Sequence, residues 1–406
     1  MGLAGLSGGG AWESGLGVGG AGCVPLGMRV KDLAELMQRI APLEYAEEWD
    51  RVGLLVGDSE HQLTGPVLLT IDLTERVLEE AVKAGSRAII AYHPPIFEPL
   101  NRVTDATPRQ RVILRAIEAG IAIYSPHTAL DSVAGGITDW LCEGLSGGEN
   151  GRAKGDVRAL TPHAHLPTSQ QVKIVTFVRP GDVENIRNAM ASGGAGMIGE
   201  YQLCSFETRG TGTFLAGPGA NPSVGQQGML ERVDEVRLEM VCGKSALPLA
   251  TELLRRFHPY EEPAIDVYEL KAQPRRNAGA GRRLVLDRPA TVAELTQRLK
   301  QFLKRERMRY ALPGDDRPVT RIGVVPGSGA SLSRLARDEG CEVFVTGEMK
   351  HHEVLGALNA GMAVILGNHT STERGYLPRL AEQMQRLAPG LGVVVSQVDQ
   401  DPLITV

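Results

Sequence analysis

Four short apolar runs, each followed at once by a turn that carries histidine or acidic residues, constrain the fold of this chain most. Each run is too short for a helix and predicts a buried β-strand. The runs cover residues 87–91, 121–125, 343–346 and 362–366. Segments with helical periodicity separate them along the chain. Strands that alternate with helices predict βαβ units and a largely parallel sheet.

The turns after these runs contain the candidate site residues. In chain order they carry His93, His127, Asp131, Glu348, His369 and Glu373. The carboxyl ends of strands are where open α/β sheets bind their ligands. His369 and Glu373 are four residues apart, so they share one face if a helix begins at His369. Converging imidazole and carboxylate groups suit a divalent metal of the Zn, Mn or Fe type. The alternative interpretation of each turn is a polar cap between strand and helix.

The chain is predicted to fold as a two-lobed, split α/β core interrupted by an insert. Residues 1–27 are rich in glycine and predict a disordered tail. Residues 28–149 and 276–406 show the α/β pattern and form the two halves of the core. Residues 150–275 follow the order β-α-β-β-α-β, which is typical of a ferredoxin-like α+β module. Residues 273–281 have the Gly, Ala and Arg composition of a linker.

Individual elements follow from the same periodicities. Helices are predicted at residues 30–40, 74–84, 108–119, 136–144, 182–192, 246–257, 291–303, 331–338, 349–359 and 372–386. Further strands are predicted at residues 53–56, 67–72, 172–178, 202–208, 212–216, 235–242, 264–270, 320–325 and 392–396.

Composition excludes several classes of protein. The net charge of −5 and the aromatic content of 4% argue against a protein that binds the phosphate backbone or stacks single-stranded bases. The five cysteines form no C-x-x-C pair, which fits a reducing cytosol and excludes a cysteine zinc cluster. No apolar run approaches the ~20 residues of a membrane span. We therefore expect a cytoplasmic protein without a membrane or nucleic-acid partner.

Four motifs together resemble one family. They lie at residues 92–97, 125–131, 346–353 and 367–375. On these motifs the chain is identified as a member of the GTP cyclohydrolase I type 2 family. The family is also described as the NGG-interacting-factor-three-like, dinuclear-metal-centre, hexameric proteins. Residues 196–206 and 258–263 resemble the CutA/PII-like insert that longer members carry.

The resemblance implies a two-metal site between two α/β lobes. Carried over by motif, the implied ligands are His93, Asp131, His369 and Glu373. Tyr92 stands where the family has the first histidine of a His-His pair, and it is expected to line the pocket. The ion held by His369 and Glu373 therefore loses one ligand, which water or His127 replaces.

The resemblance also implies an activity, the hydrolysis of GTP to dihydroneopterin triphosphate and formate. His127 is expected to shuttle protons, or else to orient a ligand. Glu348 is expected to contact substrate or relay protons, unless it is simply part of the charged first turn of a helix. Gly327, Ser328 and Gly329 end a strand, and their backbone N–H groups are expected to hold triphosphate. The alternative for this loop is an ordinary strand–helix turn.

A second hypothesis is a non-enzymatic, metal-binding regulatory protein whose ring-shaped assembly binds a partner or a nucleotide. The CutA/PII-like insert supports this hypothesis, because such modules oligomerise and sense small ligands. Under both hypotheses the expected cofactors are one or two divalent metal ions per chain. The expected partners are a nucleotide-like small molecule and further copies of the chain in a hexamer.

Overall fold

The computed structural model describes residues 27–404, which form two compact units. Unit 1 contains the described residues up to His163 and those from Arg276 onward, and unit 2 contains Ala164–Arg275. The predicted tail lies outside the described residues except for Gly27. The structure places the start of the insert at residue 164, where the sequence suggested 150. The reason is a strand at residues 155–165 that pairs within a sheet of unit 1.

The elements follow one another in α/β order in unit 1 and in α+β order in unit 2. The first part of unit 1 contains α1 (Val30–Ile40), β1 (Gly53–Val56), β2 (Val67–Thr70), α2 (Glu75–Lys83), β3 (Ala88–Ala91), α3 (Pro108–Glu118), β4 (Ala122–Ser125), α4 (His127–Ser132), α5 (Ile137–Ser146) and β5 (Gly155–His165). Unit 2 contains β6 (Val172–Val178), α6 (Val183–Ser192), β7 (Phe206–Leu215), β8 (Leu230–Cys242), α7 (Leu247–Phe257) and β9 (Ile265–Glu269). The rest contains β10 (Gln273–Ala290), α8 (Val292–Phe302), β11 (Arg309–Ala311), β12 (Val319–Val324), α9 (Ser333–Asp338), β13 (Val343–Thr346), α10 (His351–Asn359), β14 (Ala363–Leu366), α11 (Ser371–Arg374), α12 (Leu377–Leu387) and β15 (Val393–Val395).

Three helices of unit 1 begin at a threonine that caps them. The Thr74 hydroxyl accepts a hydrogen bond from the Val77 amide at the start of α2. Thr107 caps α3 in the same way, with Pro108 in the first turn. Thr291 and Glu294 form a capping box at the start of α8. For these three helices the predicted and observed starts therefore agree closely, whereas the helix predicted at residues 372–386 is divided into α11 and α12.

The first sheet of unit 1 has the strand order β1-β4-β3-β2-β15. Neighbours from β4 to β15 are parallel, and β1 joins β4 in antiparallel orientation. Strands β2, β3 and β4 are buried along their whole length, as expected of strands covered on both faces. The last strand of the chain therefore completes the sheet that the first strands build.

The second sheet of unit 1 has the order β11-β14-β13-β12-β10-β5 and is mixed. Strands β12, β13 and β14 are parallel to one another. Strand β10 pairs with β12, and β11 pairs with β14, both in antiparallel orientation. The predicted linker at residues 273–281 is wrong, because these residues form the first half of β10. The glycines that made these residues resemble a linker include Gly279 and Gly281, which have positive φ within the strand. A single buried cluster packs between both sheets of unit 1, which confirms the split α/β core.

Unit 2 has one antiparallel sheet of order β7-β8-β6-β9, with α6 and α7 packed together. This is the ferredoxin-like arrangement that the element order predicted. The predicted strands 202–208 and 212–216 form one strand, β7. No helix within residues 27–404 is long and apolar enough to cross a membrane.

Candidate metal centre

Three side chains converge at the carboxyl ends of the parallel strands of unit 1. They are His93, which follows β3, His369, which follows β14, and Glu373 on α11. Each offers a ligand atom within 4.8 Å of the ligand atoms of the other two. Two imidazoles and one carboxylate form a donor set that suits a zinc-like divalent ion. Sequence analysis predicted all three residues, and the structure brings them together.

Glu373 is the centre of this group and is only 2% exposed. Its Oε2 atom lies 3.6 Å from Nε2 of His93, and its Oε1 atom lies 3.5 Å from Nε2 of His369. Oε2 is buried and has no hydrogen-bond partner among the described residues. A buried carboxylate oxygen without a partner is costly, and a bound cation would compensate it. The residues present therefore fit a metal ion.

Two further carboxylates orient the imidazoles. Asp72 Oδ1 accepts a hydrogen bond from Nδ1 of His93 at 2.9 Å, and Glu348 Oε1 accepts one from Nδ1 of His369 at 2.9 Å. These bonds direct both Nε2 atoms toward Glu373, as carboxylate partners do for metal-binding histidines. Burial opposes the charged form of His93, but Asp72 and Glu373 outweigh it and raise the pKa of His93 to about 10. A metal ion must therefore displace a proton there.

Gly327 makes room for this group. It has a φ of 57°, and a Cβ atom at this position would lie 2.4 Å from Oε1 of Glu373. Its amide donates to the Thr372 hydroxyl at 2.9 Å, and the Gly329 amide donates to the Thr346 hydroxyl at 3.0 Å. The expected triphosphate cradle at these two glycines is not supported, because both amides already have partners within the chain. Ser328 lies between them on the cavity wall.

Asp131 is buried beside the three converging side chains but does not belong to the group. The Tyr92 hydroxyl lies 2.8 Å and 2.9 Å from the two carboxyl oxygens of Asp131. Burial, followed by the charge of Glu373, raises the pKa of Asp131 well above its usual range. Tyr92 lines the cavity, as the sequence suggested, and it holds the aspartate that the family resemblance assigned to metal.

His127 lies beside His93, with ring centroids 5.5 Å apart, and is oriented by a residue that sequence analysis missed. Its Nδ1 atom is 2.9 Å from Oδ1 of Asp50, which is 7% exposed and also accepts a hydrogen bond from the Thr128 amide. His127 has a φ of 30°, an uncommon conformation for a residue with a side chain. Burial disfavours the charged form of Asp50, but its hydrogen bond with His127 prevails and lowers the pKa of Asp50. This pairing keeps the other ring nitrogen free for proton transfer.

The site residues surround a cavity of about 620 Å³. Its lining includes Glu47, Trp49, Asp72, Tyr92, His93, Phe97, His127, Asp131, Gly327, Ser328, Gly329, His369 and Glu373. A volume of this size suits a small-molecule ligand. Asp72 could have been found from the sequence, because it follows the mostly apolar run 67–71 as His93 follows its own strand.

The fold and the site define an α/β protein with a candidate metal centre at the carboxyl ends of its parallel strands. A sequence model of the family Duf34/NIF3 (NGG1p interacting factor 3) matches residues 28–402. The chain belongs to this family.

Relatives and solved structures agree with that assignment. A Bacillus subtilis protein named "GTP cyclohydrolase 1 type 2 homolog" is 32% identical over 376 residues, covering 92% of this chain and 97% of that protein. Human "NIF3-like protein 1" is 30% identical over 380 residues, covering 93% and 92%. The crystal structure of a Bacillus cereus protein related to NIF3 is 31% identical and has a TM-score of 0.63, covering 94% of this chain and 100% of that one. A Staphylococcus aureus protein structure, 26% identical, has a TM-score of 0.73 and covers 93% and 99%.

Proposed function

We propose that this chain is a metal-dependent hydrolase of a nucleotide-like small molecule. The reaction indicated by the relatives' name is GTP plus water to dihydroneopterin triphosphate plus formate. The observation that supports the proposal best is the buried carboxylate oxygen of Glu373 between His93 and His369, which has no hydrogen-bond partner among the described residues. It lies in a cavity large enough for a small molecule.

The protein's own groups have distinct roles in this proposal. A divalent ion bound by His93, His369 and Glu373 would act as a Lewis acid and lower the pKa of bound water. His127 accepts or returns a proton through the ring nitrogen that Asp50 leaves free. The Tyr92 hydroxyl donates to Asp131 and thereby keeps that carboxyl group in one orientation.

Glu348 acts through His369 in this proposal. Its hydrogen bond to Nδ1 fixes the imidazole, so we assign it a positioning role at the metal. We also propose a single, tightly held ion of the Zn, Mn or Fe type, a cytoplasmic location and the hexameric assembly that the family resemblance implies.

The direct test incubates metal-loaded protein with GTP and measures formate together with a fluorescent pterin. We expect both products from the wild-type protein and neither from Glu373→Gln. His127→Ala should retain metal while losing most activity, because removal of a general acid–base group lowers rates by about 10²- to 10⁴-fold. Full metal loading without any product, from GTP or from related nucleotides, would favour the regulatory hypothesis instead. The metal content of freshly purified protein identifies the ion to use.

A further inference from the structure

The charges around the cavity are unsuited to a polyphosphate. Four carboxyl groups line it, those of Glu47, Asp72, Asp131 and Glu373, and none of the described residues in the lining is lysine or arginine. Arg374, nearby, is held by Asp399 at 2.5 Å and lies 3.7 Å from Asp72. One divalent ion would not neutralise the carboxylates of Glu47, Asp72 and Glu373 together, so a triphosphate would meet like charge and no lysine or arginine side chain in the lining that the structure describes.

The amides of Gly327 and Gly329 do not replace the missing lysine or arginine side chains. Phosphate sites without basic residues usually depend on free amides of a glycine-rich turn. In this cavity the Gly327 and Gly329 amides donate to threonine hydroxyls of the same unit. The loop thus uses its glycines to fit around Glu373 and leaves these amides unavailable to a ligand.

An aromatic pair lies on the cavity wall. The rings of Trp49 and Phe97 have centroids 5.9 Å apart, and their side chains are 56% and 53% exposed although both line the cavity. The Trp49 ring also meets the His127 ring edge-on at 6.1 Å. Large exposed aromatic side chains beside the His127 imidazole provide a stacking surface for a flat heterocycle.

We propose that the substrate is recognised through its heterocyclic ring, held against Trp49 and Phe97, and that a triphosphate adds no affinity. The part of the substrate that the site recognises is therefore its purine base or nucleoside. This inference rests on the proposed hydrolase function and specifies how the substrate is recognised. The site binds the heterocyclic ring of the substrate and repels its phosphates.

Binding tests the inference independently of turnover. Guanosine, GMP and GTP are titrated into the zinc-loaded and the metal-free full-length protein, followed by calorimetry and by the tryptophan fluorescence to which exposed Trp49 contributes. We expect guanosine to bind at least as tightly as GTP in both forms. Raising the salt concentration should improve GTP binding relative to guanosine, because salt screens the repulsion. Inorganic triphosphate, the control for metal removal by phosphates, should not compete with guanosine.

A matched pair of variants tests the aromatic surface. Phe97→Ala should weaken guanosine binding about 10-fold, in line with the loss of one stacking ring. Phe257→Ala removes a ring of similar exposure, 55%, from unit 2 and should leave the affinity unchanged. Trp49→Phe should keep most of the affinity while removing the fluorescence response to guanosine.

Two results would overturn the inference. One is GTP binding more than 10-fold tighter than guanosine, which would show that the triphosphate adds affinity. The other is equal guanosine affinity in Phe97→Ala and Phe257→Ala. Failure of the proposed function differs from both, because it appears as no formate from any of the three ligands whatever their affinities.

Discussion

Replacing Glu373 by glutamine tests the metal centre most directly. The substitution keeps the size of the side chain but removes the only anionic member of the group. Loss of a partner that merely orients a metal ligand weakens binding 10- to 100-fold, so loss of the charged ligand itself should raise the dissociation constant about 1000-fold. At a metal concentration of 1000 times the wild-type dissociation constant, the metal stabilises the wild-type protein by about 4 kcal/mol. The variant should gain only about 0.4 kcal/mol under the same conditions.

The assay is denaturant unfolding of both proteins with and without zinc, supported by metal analysis after dialysis. His163→Ala serves as a control, because His163 contacts Tyr45 outside the metal group and should leave the zinc effect unchanged. An equal zinc-dependent stabilisation of the wild type and Glu373→Gln would refute the metal assignment. The metal-free baseline of each variant separates loss of metal binding from loss of folding.

Three further changes test other parts of the structure. Tyr92→His should free Asp131 and supply an imidazole, so the variant should retain a second metal equivalent after dialysis against a mild chelator; two tightly held ions in the wild type would contradict this. Replacing residues 164–275 by a short Gly/Ser turn should leave a cooperatively unfolding, metal-binding unit 1, and a broad, non-cooperative transition would argue against the unit boundary. Burial lowers the pKa of His258 below 6.5, so its stabilising effect is present above that value and is lost as pH falls through the folded-state pKa. In His258→Gln the free energy of unfolding should therefore decrease less as the pH falls below 6.5. An unchanged decrease, measured by urea unfolding, would show that other groups cause it.

Much of the fold could be predicted because local signals and tertiary packing agree. Helix α1 and strand β1 have the predicted bounds. An apolar stripe identifies the helix, and a short apolar run identifies the strand. Strands β5 and β10 were missed because their glycines and charged residues resemble a linker. Their strand character comes from pairing with each other and with β12, which are non-local contacts that a sequence window cannot reveal.

Sequence analysis predicted those residues of the candidate site that directly follow a predicted strand. His93, His369 and Glu373 meet because parallel strands end at one edge of a sheet. Asp50 was missed because it precedes β1, and only the folded chain brings it to His127. The pairing of Asp131 with Tyr92 was also beyond the sequence, since it depends on the distance between two buried side chains.

The pairing of β15 with β2 has a consequence for the order of events during synthesis. Residues 67–70 emerge from the ribosome early, yet the strand that covers their free edge is formed by residues 393–395. Until then an apolar strand edge stays open to pairing with other chains. Asp399, which accepts a hydrogen bond from the Ile71 amide, closes the same edge later still. A nascent chain that stalls after Glu373 would already contain all three side chains of the candidate metal centre, while the edge of β2 is still open to pairing with other chains.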